Sequence, residues 1–167
     1  KKIKLIGDKS LSKRDFSRIT EPLKKFGAKF YLNKENKLPL SILGSSFVKP
    51  IRYIEDKGSA QCKSSVMLAA LNTKGKTYIK AKKSRNHTEL LFKYLKVPIK
   101  VKKEKKYDFI EIQGGKKIPS FNYKIPSDIS SSAFFIVLTA LSDNSRLLIK
   151  NVNVNPTRTG VIKILKK

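Results

Sequence analysis

Cysteine and histidine are nearly absent: Cys62 and His87 are the only two in a chain of 167 residues. A single cysteine excludes an intrachain disulfide and a cysteine metal site, and a single histidine removes the basis for zinc coordination or a His-based triad. Neither a metal nor a cofactor is therefore expected. No apolar run is long enough to cross a bilayer, although 40% of the residues are hydrophobic, and there is no signal-peptide pattern. The expectation is a soluble, cytoplasmic chain without a membrane partner. The first residue is Lys1, and the last stretch, Val161 to Lys167, is a helical pattern with no strand after it, so we expect an internal piece of a longer protein. The length suits one ordinary domain or parts of two.

Acidic residues are scarce as well, 12 against 38 Lys and Arg, for a formal net charge of +26. Such an excess ordinarily suggests a polyanionic partner. Here the lysines are spread along nearly every segment, which favours a solvated lysine-rich surface. A nucleic-acid-binding module is the alternative, and it requires charge on one face with aromatics placed to stack on bases. The Tyr and Phe residues fall mostly at strand and core-helix positions, so no specific nucleic-acid partner is expected. Arginine is more informative, because its planar fork grips carboxylate or phosphate in a way lysine cannot copy. Only six occur, and Arg14, Arg85 and Arg158 lie in polar turns leading into helices.

The stretch Asp56 to Leu71 organises the chain. A polar turn with Gly58 and Ser59 runs into six consecutive apolar residues, Val66 to Leu71, which predicts a helix buried all round. Ser59 is its natural N-cap, and Gln61 and Lys63 stand in its first turn, where free N–H groups can hold an anion. A capped core helix without a ligand is the plainer alternative.

The rest reads as alternating strands and helices. Lys1 to Ile6 is a strand. Ser10 to Lys25 is a helix stopped by Gly27, with Pro22 marking a kink or a second helical start. Ala28 to Leu32 and Leu38 to Leu43 are paired strands around the turn Asn33 to Lys37. Sliding the chain by roughly 70 residues, a repeat-scale period, lays Tyr53 on Tyr123, Val66 to Leu68 on Ile136 to Leu138, and Ala70-Leu71 on Ala140-Leu141. The same shift lays Ile79-Lys80 on Ile149-Lys150 and Leu91 to Leu95 on Val161 to Leu165. The complete copy is strand Ile51 to Ile54, buried helix Ala60 to Leu71, strand Thr77 to Ala81, amphipathic helix His87 to Leu95, and strands Pro98 to Lys102 and Phe109 to Gln113. The second half of an earlier copy precedes it and the first half of a later copy follows. This is an α/β architecture built from a repeated unit, incomplete at both ends. In the second helix Asn86 caps and Glu89 closes a capping box; His87, in its first turn, is structural or solvated.

Read together, Gly7-Asp8-Lys9-Ser10-Leu11-Ser12-Lys13-Arg14, Pro22 to Ala28, Leu38-Pro39-Leu40, Ser59-Ala60-Gln61-Cys62-Lys63-Ser64-Ser65 and Ser84-Arg85-Asn86-His87-Thr88-Glu89 resemble the enolpyruvyl transferases. Asp128 to Phe134 and Asn155-Pro156-Thr157-Arg158-Thr159-Gly160 continue the resemblance in family order, on the branch that uses shikimate 3-phosphate. It implies two domains, each of three βαβαββ units with helices buried inside an inside-out α/β barrel. On that basis 1–125 is the later part of one domain and 126–167 the truncated start of the other. It also implies transfer of the enolpyruvyl group of phosphoenolpyruvate to shikimate 3-phosphate with release of phosphate, through a tetrahedral intermediate, in aromatic amino acid biosynthesis, and a monomer.

Carried over residue by residue, the resemblance assigns Ser59, Ala60 and Gln61 to shikimate 3-phosphate, with Gln61 also reaching phosphoenolpyruvate. Arg14 holds phosphoenolpyruvate, and Arg85, with Ser84 beside it, clamps the phosphate of the sugar-like substrate. The alternative for Arg14 and Arg85 is a surface ion pair. Asp15 stands where the family has proline, which alters the local turn. Gly7 to Arg14 also resembles the family's N-terminal Gly-Asp-Lys-Ser loop, but Pro22 to Ala28 and Leu38 to Leu40 settle the register, so Lys9 and Ser10 are not assigned to catalysis. The proton-handling lysine, aspartate and glutamate are expected outside this chain, which by itself is then inactive. The sister branch that uses UDP-N-acetylglucosamine fits less well, because its loop cysteine has no counterpart: Cys62 lies at a helix start. A relative that kept the fold and lost the chemistry is the remaining alternative.

Overall fold

A computed structural model describes residues 1–33 and 35–166, so the turn expected over Asn33 to Lys37 is described apart from Lys34, and the last helical stretch apart from Lys167. The chain divides into two compact units, 1–118 and 119–167.

In the first unit, β1 (Lys2–Leu5) is followed by a short helix α1 (Lys9–Ser12), then α2 (Ser17–Lys25), β2 (Lys29–Tyr31) and β3 (Leu40–Leu43). The strands form an antiparallel sheet ordered β1-β3-β2. The single helix expected from Ser10 to Lys25 is thus two helices. The break falls at 13–16 because Asp15 accepts hydrogen bonds from the Ser17 backbone N–H at 2.7 Å and the Ser17 hydroxyl at 2.8 Å, starting a new helix there. Pro22 sits buried inside α2 without ending it, and the second start lies upstream of it.

The larger sheet starts with β4 (Arg52–Glu55), which leads into α3 (Ala60–Ala70); then come β5 (Lys76–Lys82), α4 (His87–Tyr94), β6 (Ile99–Lys103) and β7 (Tyr107–Gln113). Its order is β4-β5-β7-β6, with β4 and β5 parallel and the other pairs antiparallel. The arrangement β5-β7-β6 repeats that of β1-β3-β2, as expected for the second half of a repeated unit. Strand alternation turns Thr77, Ile79, Ala81, Ile110 and Ile112 to one side, where they pack with Val66, Met67 and Ala70 of α3 and Phe92 of α4. The expectation of a helix buried all round needs correction: Leu68 is 53% exposed, because the sheet and α2 cover the other sides of α3 and nothing in this unit lies over Leu68.

The C-terminal end of α3 is locked by a close backbone approach. The Gly114 N–H donates to the Gly75 carbonyl at 3.0 Å, and a Cβ on Gly114 would stand 2.1 Å from the Ala70 carbonyl oxygen and 2.5 Å from that of Thr73. Both obstacles are backbone, so Gly114→Ala is expected to cost about 3 kcal/mol or more, read as a lower urea midpoint with an unchanged slope.

The second unit holds α5 (Ile129–Ala140), α6 (Gly160–Leu165) and one parallel bridge between Ser127 and Val152. Its helices fall where the repeat places them. Strands at Tyr123 and Ile149-Lys150 are not formed, which corrects the repeat-based reading. In the larger sheet β5 is held between β4 and β7, whereas among the described residues of this unit no strand is present to pair in that way. Only Ile129 and Ser132 of α5 are buried, whereas Phe134, Phe135, Leu138 and Leu141 stand exposed.

Candidate functional site

The turn that enters α3 is built around a buried carboxylate. Glu55, 2% exposed, accepts from the backbone N–H groups of Lys57 at 3.1 Å and Gly58 at 2.9 Å, and Gly58 takes φ +72°, a conformation that favours glycine. Ser59 then caps α3, its hydroxyl accepting from the Cys62 N–H at 3.3 Å. This leaves the N–H groups of Ala60 and Gln61 at the positive end of the helix, with the Gln61 side chain exposed beside them. Cys62 is buried. Burial, then the nearby Cys62, Glu55 and Asp56, push the Tyr53 phenol up to about 12, so it stays protonated at neutral pH.

The second candidate segment is the turn between β5 and α4. Arg85 is exposed and its guanidinium makes no hydrogen bond or ion pair among the described residues, while the Ser84 hydroxyl is buried without a partner. Three contacts tie this turn to α3. Lys63 Nζ donates to the Arg85 carbonyl at 2.9 Å and lies 2.6 Å from Glu89 Oε1, and the hydroxyls of Ser64 and Thr88 are 2.6 Å apart. The expected capping box is therefore absent: Asn86 makes no side-chain cap bond, and Glu89 turns inward to Lys63. Ser59, Ala60 and Gln61 are in this way linked to Ser84 and Arg85.

Arg14 stands exposed in the turn between α1 and α2, also without an ion pair among the described residues. Its neighbour Asp15 is held below the usual carboxylate range by hydrogen bonds from the Ser17 backbone and hydroxyl, helped by the charges of Lys57 and Arg18. Ser17 and Arg18, at the start of α2, line one small pocket with Asp56 and Lys57, which brings the turn that holds Arg14 near the 56–58 turn; among the described residues no hydrogen bond joins Arg14 to the other candidates. A surface ion pair, the alternative for Arg14 and Arg85, is not what these side chains make.

In the second unit Asp128 caps α5, accepting from the N–H groups of Ser130 at 3.2 Å and Ser131 at 3.3 Å. Arg158, grouped by sequence with the anion-holding turns, is instead engaged with Asp128 at 2.9 Å and with the Ser130 hydroxyl. Backbone donation from Ser130, the largest favourable cause, and the Arg158 charge hold the Asp128 carboxyl below the usual carboxylate range. A depressed pKa contributes stability that is present above the unfolded value and lost as pH falls through the lower, folded pKa. A carboxyl NMR titration of Asp128 is expected to show a midpoint below the usual range of an exposed aspartate.

The exposed face of the larger sheet gathers cations and aromatic rings, but each ring is covered by the chain's own charge. Arg52 lies 4.9 Å from the Tyr78 ring, and Lys80 lies 4.6 Å from Tyr107 and 5.9 Å from Phe109. Binding to heparin or DNA is expected to be electrostatic only and to vanish between about 50 and 200 mM salt. The double substitution Tyr78→Ala and Phe109→Ala is expected to leave it unchanged in a salt-gradient elution.

Among the described residues no helix is long and apolar enough to cross a membrane, and no group of three His, Cys, Asp or Glu could hold a metal ion. The family model of EPSP synthase (3-phosphoshikimate 1-carboxyvinyltransferase) matches residues 1–167. The chain belongs to the EPSP synthase family. It is 46% identical over 165 residues to a 3-phosphoshikimate 1-carboxyvinyltransferase of Caldicellulosiruptor bescii, covering 98% of this chain and 38% of that protein. The Bacillus subtilis protein of the same name is 43% identical over 162 residues, covering 96% and 37%. The solved EPSP synthase of Acinetobacter baumannii superposes with a TM-score of 0.81 at 39% identity, covering 99% of this chain and 37% of that one. The chain thus spans somewhat over a third of the length of these relatives.

Sequence reading placed Lys63 with Gln61 at the anion-holding helix start and Glu89 in a capping box; it missed that Lys63 faces Glu89 and the Arg85 carbonyl and that Ser64 meets Thr88. The one signal was a lysine just ahead of the apolar run, in a helix whose packing leaves little open surface. That Glu89 answers it, across a strand and a turn, is a property of the fold.

Proposed function

We propose that this chain is part of an enzyme that transfers the enolpyruvyl group of phosphoenolpyruvate to shikimate 3-phosphate and releases phosphate. The observation that carries this reading is the pairing, in a chain of the EPSP synthase family, of the open N-terminus of α3 with the Ser84-Arg85 turn, which offers an uncommitted guanidinium and a buried, unpartnered hydroxyl. Such a cluster suits a phosphate: backbone N–H groups and the helix dipole attract it, and an arginine fork grips two oxygens at once. Ser59, Ala60, Gln61, Ser84 and Arg85 take shikimate 3-phosphate in this reading. Gln61 and Arg14 take phosphoenolpyruvate.

The part played by these residues is to hold two anions together and to screen their mutual repulsion, so that the hydroxyl of one meets the phosphate-bearing enol carbon of the other. The residues that move protons belong to the rest of the enzyme. We further propose that 1–125 is the later part of one domain and 126–167 the start of the second, a reading supported by the division of the chain after Ile118. The whole enzyme is proposed to be a cytoplasmic monomer, testable by sedimentation. The test of function is phosphate release by the full-length enzyme with phosphoenolpyruvate and shikimate 3-phosphate, run beside UDP-N-acetylglucosamine. Release with the shikimate substrate alone supports the proposal, release with the nucleotide sugar alone moves it to the sister branch, and release with neither overturns it.

A further inference from the structure

Lys63 and Glu89 are among the most deeply buried polar side chains of the chain, with 0% and 5% of their side chains exposed, and neither touches the open surface where substrates bind. Removing two charges from water costs more than their attraction returns unless their hydrogen bonds are complete, and apolar replacements of such pairs are often neutral or stabilising. Here they are incomplete. The 2.6 Å contact is an ion pair outside hydrogen-bond geometry, and neither carboxylate oxygen of Glu89 has a hydrogen-bond partner. The other inward residues of α3 are Cys62, Val66, Met67 and Ala70, so an apolar side chain at 63 would suit the packing. Stability is a weak reason for keeping a lysine there.

An apolar side chain cannot do what Lys63 does at its tip. Its ammonium donates to the Arg85 carbonyl at 2.9 Å, and that carbonyl belongs to the backbone that carries both the Arg85 guanidinium and the neighbouring Ser84 hydroxyl. The contact between the Ser64 and Thr88 hydroxyls lies one residue on from Lys63 and one residue before Glu89. The first turns of α3 and α4 are therefore tied by side chains, and the Ser84-Arg85 turn hangs between them.

We propose that Lys63, held in place by Glu89, is a positioning residue that fixes the Ser84-Arg85 turn at a set distance from the Ser59–Gln61 end of α3. The two halves of the phosphate site are then formed before the ligand arrives, and no ordering of the turn has to accompany binding. This rests on the reading that these two segments bind shikimate 3-phosphate.

The test uses the full-length enzyme with Lys63→Met and Glu89→Leu together, which removes both charges at similar volume. The double variant is expected to melt close to the wild type, while KM for shikimate 3-phosphate rises about tenfold and KM for phosphoenolpyruvate stays within about threefold. Amide hydrogen exchange is expected to quicken at 83–88 and to stay unchanged in β5 and β7. An unchanged KM for shikimate 3-phosphate with unchanged exchange at 83–88 overturns the proposal. Should the double variant not fold, Glu89→Gln, which keeps the shape and an oxygen toward Lys63, is expected to show the same KM split in weaker form; an even rise in both KM values or none overturns it. A wild type that does not turn over shikimate 3-phosphate fails the functional reading, and the exchange comparison then decides the positioning role by itself.

Discussion

Arg14→Ala in the full-length enzyme is expected to lower kcat/KM by about a hundred- to a thousandfold, with most of the loss in KM for phosphoenolpyruvate. Removing one member of a desolvated, hydrogen-bonded charge pair costs about 2–5 kcal/mol, and each 1.36 kcal/mol is roughly tenfold in rate. Arg14 has no structural duty that would add to this loss. It makes no ion pair among the described residues, so its loss leaves no protein carboxylate unpaired, and the melting temperature is expected to stay within about 2 °C, as for surface changes. Arg14→Lys should recover only a small part of the activity, because an ammonium cannot reproduce the bidentate fork. Steady-state kinetics at varied phosphoenolpyruvate check the prediction. A variant with wild-type KM for that substrate would remove Arg14 from its site.

Lys63→Met alone is expected to destabilise the first unit by about 3–5 kcal/mol, because it strands the Glu89 carboxylate in the interior. The loss should shrink when Glu89→Leu is added, and the gap between the double variant and the sum of the single ones is the coupling energy of the pair. Urea denaturation of the four proteins of this cycle measures it directly. Additive single effects would mean that Lys63 and Glu89 act separately, through packing.

How much of this was legible beforehand can be traced through particular residues. Ser59 was readable as a cap because capping is local: a hydroxyl, a polar turn and an apolar run lie within a dozen residues. The repeat was readable because duplicated units keep their apolar positions, and α3 and α5 fall where the shift places them. The break between α1 and α2 was misplaced because Pro22 is a conspicuous signal, whereas Asp15 acts through two hydrogen bonds to Ser17 that composition does not announce. Glu89 was misread for the opposite reason. A capping box is a good local rule, but a buried ammonium 2.6 Å away outweighs a solvent-exposed cap bond.

The sequence by itself determined the α/β class, the repeated unit, the capped start of α3 and the family, because hydrophobic periodicity, capping and motif order are written in residues close together in the chain. Only the tertiary structure decided that Leu68 stands uncovered, that Arg158 is engaged with Asp128 while Arg14 and Arg85 are not paired, and that Lys63 reaches Glu89 and the Arg85 carbonyl. Those outcomes depend on which distant segments share a neighbourhood. The strength of a charge or an apolar surface is set by what surrounds it, and the surroundings exist only once the chain has folded.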